Sequence, residues 1–166
     1  MRILLAGASG VLGRAFLPRA RAHVVLGLTR AAEKVEALRA LGAAGQVCDV
    51  YEPGALERIA VEFRPDLVVN FLTDLASGPG ARNTRMRAEG GPIVVAAARA
   101  AGARAIAVES VAFDLPGAAG AAVAALEHGA RASGLSATAV FHHQDPHDAR
   151  RPYHPGRQGT AGDRPR

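Results

Sequence analysis

ILLAGASGVLGRAF, residues 3–16, is the stretch that decides the fold. An apolar run, Ile3 to Ala6, leads straight into three glycines spaced three apart, Gly7, Gly10 and Gly13. Such a turn is either a simple bend or a cradle for a nucleotide phosphate. A glycine-rich turn between a first strand and a first helix lets a pyrophosphate approach the backbone closely, next to unpaired N–H groups at the helix start. In that role Gly7 makes the turn, Gly10 permits the close approach and Gly13 brings helix and strand together. The spacing is G-x-x-G-x-x-G rather than the commoner G-x-G-x-x-G, so the glycines need their context to be read.

Working outward, the context is a strand–helix alternation. Short β-branched or leucine-rich runs occupy residues 3–6, 23–28, 46–50, 66–72, 104–109 and 137–142. Stretches of helical composition lie between them, at 12–22, 32–41, 54–63, 85–101 and 119–132. Runs such as LVVNFL and AIAVES are nearly continuous in apolar character, as strands are when helices cover both sheet faces. Gly42, Gly102 and Gly134 follow alanine- and leucine-rich segments as helix stops. Six parallel strands joined by right-handed crossovers predict an α/β doubly wound Rossmann sheet. The glycine turn then sits where a phosphate cradle belongs.

Composition narrows the function classes. The chain of 166 residues is one domain's worth, with a net charge of +5. The charge is uneven: five arginines against two aspartates from Pro146 onward leave only +2 on the first 145 residues. Nucleic acid is therefore a weak expectation as partner. The last segment, residues 145–166, is rich in proline and glycine, has no aliphatic side chain larger than alanine, and is expected to be a disordered basic tail after a dinucleotide-binding domain over 1–144. His142, His143, Asp145, His147 and Asp148 fit no closed zinc spacing, and no metal site is expected. Cys48 is the single cysteine, read as a buried thiol. With no run long enough to span a membrane, the expected compartment is the cytoplasm.

Charge at the end of the second strand bears on the choice of cofactor. An acid there accepts from the ribose 2′-hydroxyl of NAD, whereas a basic residue suits a 2′-phosphate. This chain reads Leu28-Thr29-Arg30, with no acid before Glu33, and a guanidinium can grip phosphate bidentately. NADP is favoured, with NAD as the alternative.

The segments ILLAGASGVLGRAF, VLGLTR, CDV, PDLVVNFLTDL, NTRMRAEGGPIVVAAARAAGARAIAVESVAF and SATAV resemble, in order, the extended short-chain dehydrogenase/reductases of the NAD(P)-dependent epimerase/dehydratase type. The resemblance covers residues 1–141. It implies a dinucleotide contact set of Gly7, Ser9, Gly10, Val11, Leu12, Gly13, Thr29, Arg30, Asp49, Val50, Asn70, Phe71 and Leu72, with Asp49 toward the adenine amino group and Ser110 as active-site serine. Each has a plainer reading as well: Asp49 as a turn cap, Asn70 as a satisfied core amide, Ser110 as a strand end.

Two departures limit the transfer. The family's Tyr-x-x-x-Lys pair, one helix after the serine, is missing: the tyrosines are Tyr51 and Tyr153 and the one lysine is Lys34. The helix offers Glu127 and His128 instead. The substrate-selecting C-terminal lobe of the family has no counterpart either. Three function classes stay open: an oxidoreductase or epimerase of altered mechanism, a dinucleotide-binding or redox-sensing module without turnover, and an incomplete, inactive family member. Pairing of two copies through alanine-rich IVVAAARAA is a further possibility the resemblance raises.

Overall fold

A computed structural model describes residues 1–73, 80–111 and 115–142, with the backbone alone for 139–142. The expected tail, with the histidine cluster beyond His142, lies outside the described residues. Six strands, β1 (Arg2–Ala6), β2 (Val24–Thr29), β3 (Ala44–Val47), β4 (Leu67–Asn70), β5 (Ala105–Val111) and β6 (Ser136–His142), form one sheet. The helices are α1 (Val11–Phe16), α2 (Val35–Ala40), α3 (Ala55–Phe63), α4 (Ala81–Arg85), α5 (Gly91–Ala100) and α6 (Gly117–Arg131). Every pairing is parallel, in the order β3-β2-β1-β4-β5-β6, the doubly wound arrangement expected from the alternation.

Because successive side chains point to opposite faces, β1 supplies both halves of the core. Ile3 and Leu5 join Leu17, Val25, Leu38 and Val69 on one side. Leu4 and Ala6 join Leu26, Leu56, Val68, Val94, Ile106 and Leu126 on the other. Helices α1 and α2 thus cover one face and α3, α5 and α6 the opposite one. The chain reverses its winding between β1 and β4, and the carboxyl ends of these two strands open the crevice where ligands of such sheets sit.

Element boundaries depart from the sequence reading in instructive ways. The third strand is Ala44–Val47 rather than 46–50. Cys48 N still donates to Thr29 O, but the Asp49 carboxylate accepts from Tyr51 N and bends the chain away from the ladder. The first helix stops at Phe16, because Pro18 opens a tight 3-10 turn, Leu17–Arg19. The fourth helical stretch starts earlier than expected, at Ala81. It runs through a π turn, Met86–Gly90, in which Gly91 N donates to Met86 O, and this widened turn precedes Pro92, which has no N–H of its own to give. Gly42, Gly102 and Gly134 take positive φ values of 90°, 67° and 80° at the ends of α2, α5 and α6, as stops should. Cys48 is buried as expected, and burial raises its thiol pKa.

Candidate functional site

The glycine turn is built by three different necessities. Gly7 has φ +82°, and a Cβ there would lie 2.5 Å from the Phe71 carbonyl oxygen, so neither conformation nor space admits a side chain. Gly13, inside α1, packs on the backbone of Gly7 and Ala8, where a Cβ would come within 2.5 Å of Ala8 O. Gly10 differs. Its φ of −76° suits any residue, and a Cβ would meet only Gly7 O at 3.2 Å. The turn closes through Gly10 N donating to Gly7 O at 3.0 Å. Gly7 and Gly13 are thus required by packing, whereas Gly10 is exposed and a Cβ there would touch Gly7 O alone.

Around this turn the sheet gathers most of the expected contact set. Ala8 N donates to Leu28 O, and Phe71 N donates to Ala6 O, tying the turn to β2 and to the end of β4. Ser9 Oγ and Thr29 Oγ1 lie 3.1 Å apart, and the Thr29 hydroxyl accepts from Ala31 N. Val11 and Arg30 are exposed, Leu12 is half-buried, and Asn70 is buried with its side-chain oxygen accepting from Leu72 N. Phe71 meets Phe16 edge to face at 6.0 Å. Asp49 is exposed at the end of β3, whereas the Val50 side chain turns into the core, leaving only its backbone for a ligand.

Next to Asp49 the phenol of Tyr51 is directed inward, donating to Met86 Sδ, with the Arg85 guanidinium 4.5 Å over its ring. Burial raises its pKa, and Arg85, Glu89, Arg30 and Asp49 all act on it. Arg85 in turn pairs with Glu89 at 2.7 Å. Tyr51 is therefore half-buried against the core, between Met86 and Arg85.

Ser110 stands at the carboxyl end of β5, two residues past Val108, which pairs with Asn70 of β4. It is fully buried and donates its hydroxyl proton to Glu127 Oε1 on α6. Glu127 Oε2 accepts from Arg131 Nη2 at 2.8 Å, one helical turn on. The Ser110 hydrogen bond, aided by Arg131, holds the Glu127 carboxyl below its ordinary pKa against the opposing effect of burial. His128, the other sequence candidate, is exposed and on a different face of α6. Arg131 escaped the sequence reading, although its place four residues after Glu127 was the signal, since i and i+4 share a helix face.

A second feature missed from sequence is an ion pair in the core. Arg87 Nη2 and Glu109 Oε2 lie 2.6 Å apart, each side chain 3% exposed. Arg87 Nε and Nη1 have no hydrogen-bond partner among the described residues. Burial raises the Glu109 pKa, opposed by the Arg87 charge. The signal was a glutamate inside the apolar strand AIAVES, which must find a cation when buried.

No helix among the described residues is long and apolar enough to cross a membrane, and no group of His, Cys, Asp or Glu there could hold a metal ion.

Comparison with known proteins places this geometry. The family model of the NAD dependent epimerase/dehydratase family matches residues 3–113. A curated relative, the 3-diazoavenalumate denitrifying reductase of Streptomyces sp, is 39% identical over 122 residues, which cover 68% of this chain and 38% of that protein. Among solved structures, the Bordetella bronchiseptica enzyme WbmG in complex with NAD superposes with a TM-score of 0.71 at 21% identity, over 84% of this chain and 52% of that one. The Citrobacter sp. triphenylmethane reductase complexed with NADP(H) gives 0.65 at 25% identity, over 84% and 48%. The chain thus spans 38% of the curated relative and about half of these two structural ones. With the glycine turn, the sheet order and the family match in agreement, this chain belongs to the NAD dependent epimerase/dehydratase family.

Proposed function

We propose that this chain is the dinucleotide-binding unit of a reductase that favours NADP(H). The observation that carries the reading is Gly10: a bare, unstrained backbone position at the mouth of the β1–α1 turn, held there by Gly7 and Gly13. A Cβ would reach into the space a pyrophosphate needs, so the residues present fit the cofactor. In this reading Gly7, Ser9, Gly10, Val11, Leu12 and Gly13 hold the phosphates, with Thr29 and Arg30 at the adenosine ribose. Asp49 and Val50 take the adenine, and Asn70, Phe71 and Leu72 line the rest of the crevice. The cofactor supplies two electrons and a hydrogen to a substrate. Arg30 supports a 2′-phosphate, because it is exposed at the end of β2 where no acid stands. Reductase is preferred to epimerase because two relatives, matched at 39% and 25% identity, carry that name.

A second reading, a dinucleotide-binding module without turnover, is favoured by one observation: the Tyr51 hydroxyl donates to Met86 Sδ and Lys34 lies in the 3-10 turn Ala32–Lys34, so neither joins Ser110. Titrating NADPH by its fluorescence tests the shared claim. Gly10→Val keeps an allowed backbone and should preserve the melting transition while abolishing NADPH binding. Unchanged binding in that variant contradicts the cradle.

A further inference from the structure

We propose that Arg85 is a second specificity-determining residue for the adenosine 2′-phosphate, acting beside Arg30, and that Glu89 sets how much of its charge the phosphate receives. The proposal rests on the reading of the chain as a dinucleotide-binding unit that favours NADP(H), and it follows from where two elements deliver their cations.

Arg30 follows β2, and Arg85 ends α4. On the β2–β3 ladder Thr29 pairs with Val47 and Cys48 N donates to Thr29 O, which sets Arg30 beside the turn at Cys48 and Asp49. Tyr51 carries the line onward: its N–H donates to Asp49 Oδ1 at 3.0 Å and its hydroxyl to Met86 Sδ at 3.7 Å. The second bond ties the chain after β3 to the start of the π turn, and Arg85, the residue before that turn, lays its guanidinium 4.5 Å over the Tyr51 ring. One phenol therefore feels both cations. Burial raises its pKa, Arg85 and then Arg30 oppose the rise, and Glu89 and Asp49 add to it. Arg30, Asp49, Arg85 and Glu89 are all exposed, so this corner, at the carboxyl ends of β2 and β3, is open to solvent.

A phosphate monoester carries a charge of about −2 near neutral pH, more than one guanidinium neutralises. Arg30 supplies one positive charge. Arg85 supplies another, but an acid one helical turn on competes for it: Arg85 Nε donates to Glu89 Oε2 at 2.7 Å. The two side chains of that pair are 59% and 56% exposed, and an exposed pair at i, i+4 is weakly held. A dianion draws on a guanidinium more strongly than one solvent-screened carboxylate does. Tyr51, itself fixed through Asp49 and Met86, keeps the guanidinium at this corner by a cation–π contact. NAD+ has a hydroxyl in place of the 2′-phosphate and gains little from the added charge.

Calorimetric titration of NADP+ and of NAD+ at low ionic strength reads the ratio of the two affinities. Arg85→Gln should lower the NADP+ to NAD+ affinity ratio about three- to tenfold while NAD+ affinity stays nearly unchanged, and Glu89→Gln, which releases Arg85, should raise it about two- to fivefold. Added salt should shrink both effects. A merely structural role for Arg85, as the support of Tyr51, moves both dinucleotides alike. An unchanged ratio in Arg85→Gln, equal losses for the two dinucleotides, or a ratio that fails to rise in Glu89→Gln overturns the proposal. Should Arg85→Gln lack a melting transition, Glu89→Gln decides alone: a raised ratio supports the proposal, and an unchanged or lowered one overturns it. Arg30→Ala in the same titrations separates the two levels of the argument. A ratio that falls in Arg30→Ala and not in Arg85→Gln defeats this inference alone, whereas a wild type that binds neither dinucleotide, or both equally, defeats the reading beneath it.

Discussion

At the scale of the residue, Arg30 is the side chain on which the proposed preference for NADP(H) rests. It is exposed immediately after the last residue of β2. A charge-assisted bond to a 2′-phosphate contributes about 1.5–3 kcal/mol. Arg30→Ala should therefore reduce the preference for NADP+ over NAD+ by that amount and leave NAD+ affinity nearly unchanged, as read by calorimetry of both ligands. Gly7 and Gly13 were legible because each answers a local demand that spacing encodes. Gly7→Ala combines a positive φ with a backbone collision and should cost about 2–5 kcal/mol in urea denaturation. The pair Arg87–Glu109 was not legible, since its partners are 22 positions apart and meet only through tertiary packing. Glu109→Gln strips the buried guanidinium of its counter-charge and should destabilise the fold by about 3–5 kcal/mol. Pairing that change with Arg87→Met should restore most of the loss, because removing both charges also removes their desolvation cost and the two unpartnered nitrogens. A double variant as unstable as the single one contradicts this account.

At the scale of the element, the apolar runs located all six strands, since parallel strands covered on both faces leave an unmistakable pattern. Their ends were harder to place. The run QVCDV reads as a strand by composition, yet the Asx turn at Asp49 takes the chain out of the sheet after Val47, and only hydrogen bonding reveals it. The π turn before Pro92 likewise arises from a widened hydrogen-bond register that residue type does not announce. Glu127 ties helix α6 to β5 through Ser110, beside the apolar packing of Leu126 and Ala130 in the core that holds Ile106 and Val108. The carboxyl has a folded pKa below the ordinary 4.5, so its contribution is fully present above the unfolded-state value and is lost as pH falls through the folded one. Thermal melts of wild type and Glu127→Gln should differ near pH 7 and converge as the pH falls through the folded pKa of Glu127, below its ordinary value. A gap that widens on acidification runs against the predicted sign.

At the scale of the whole molecule, the sheet order follows from right-handed crossovers and a single reversal of winding, which is why the alternation sufficed to predict it. The site was legible in part. The half proposed to hold the cofactor is written in one contiguous turn and in strand ends of fixed order, whereas the Ser110–Glu127–Arg131 hydrogen-bond group depends on how α6 lies against β5. The family match covers the glycine turn, the strand ends and Ser110, and stops at residue 113, short of Glu127 and Arg131 on α6. The most direct measurement is isothermal titration calorimetry of the wild-type chain with NADP+ and with NAD+ under one buffer. Saturable binding of both ligands, with NADP+ the tighter by roughly ten- to a hundredfold, is the predicted result. Absence of heat from either ligand, or equal affinity for the two, contradicts the account.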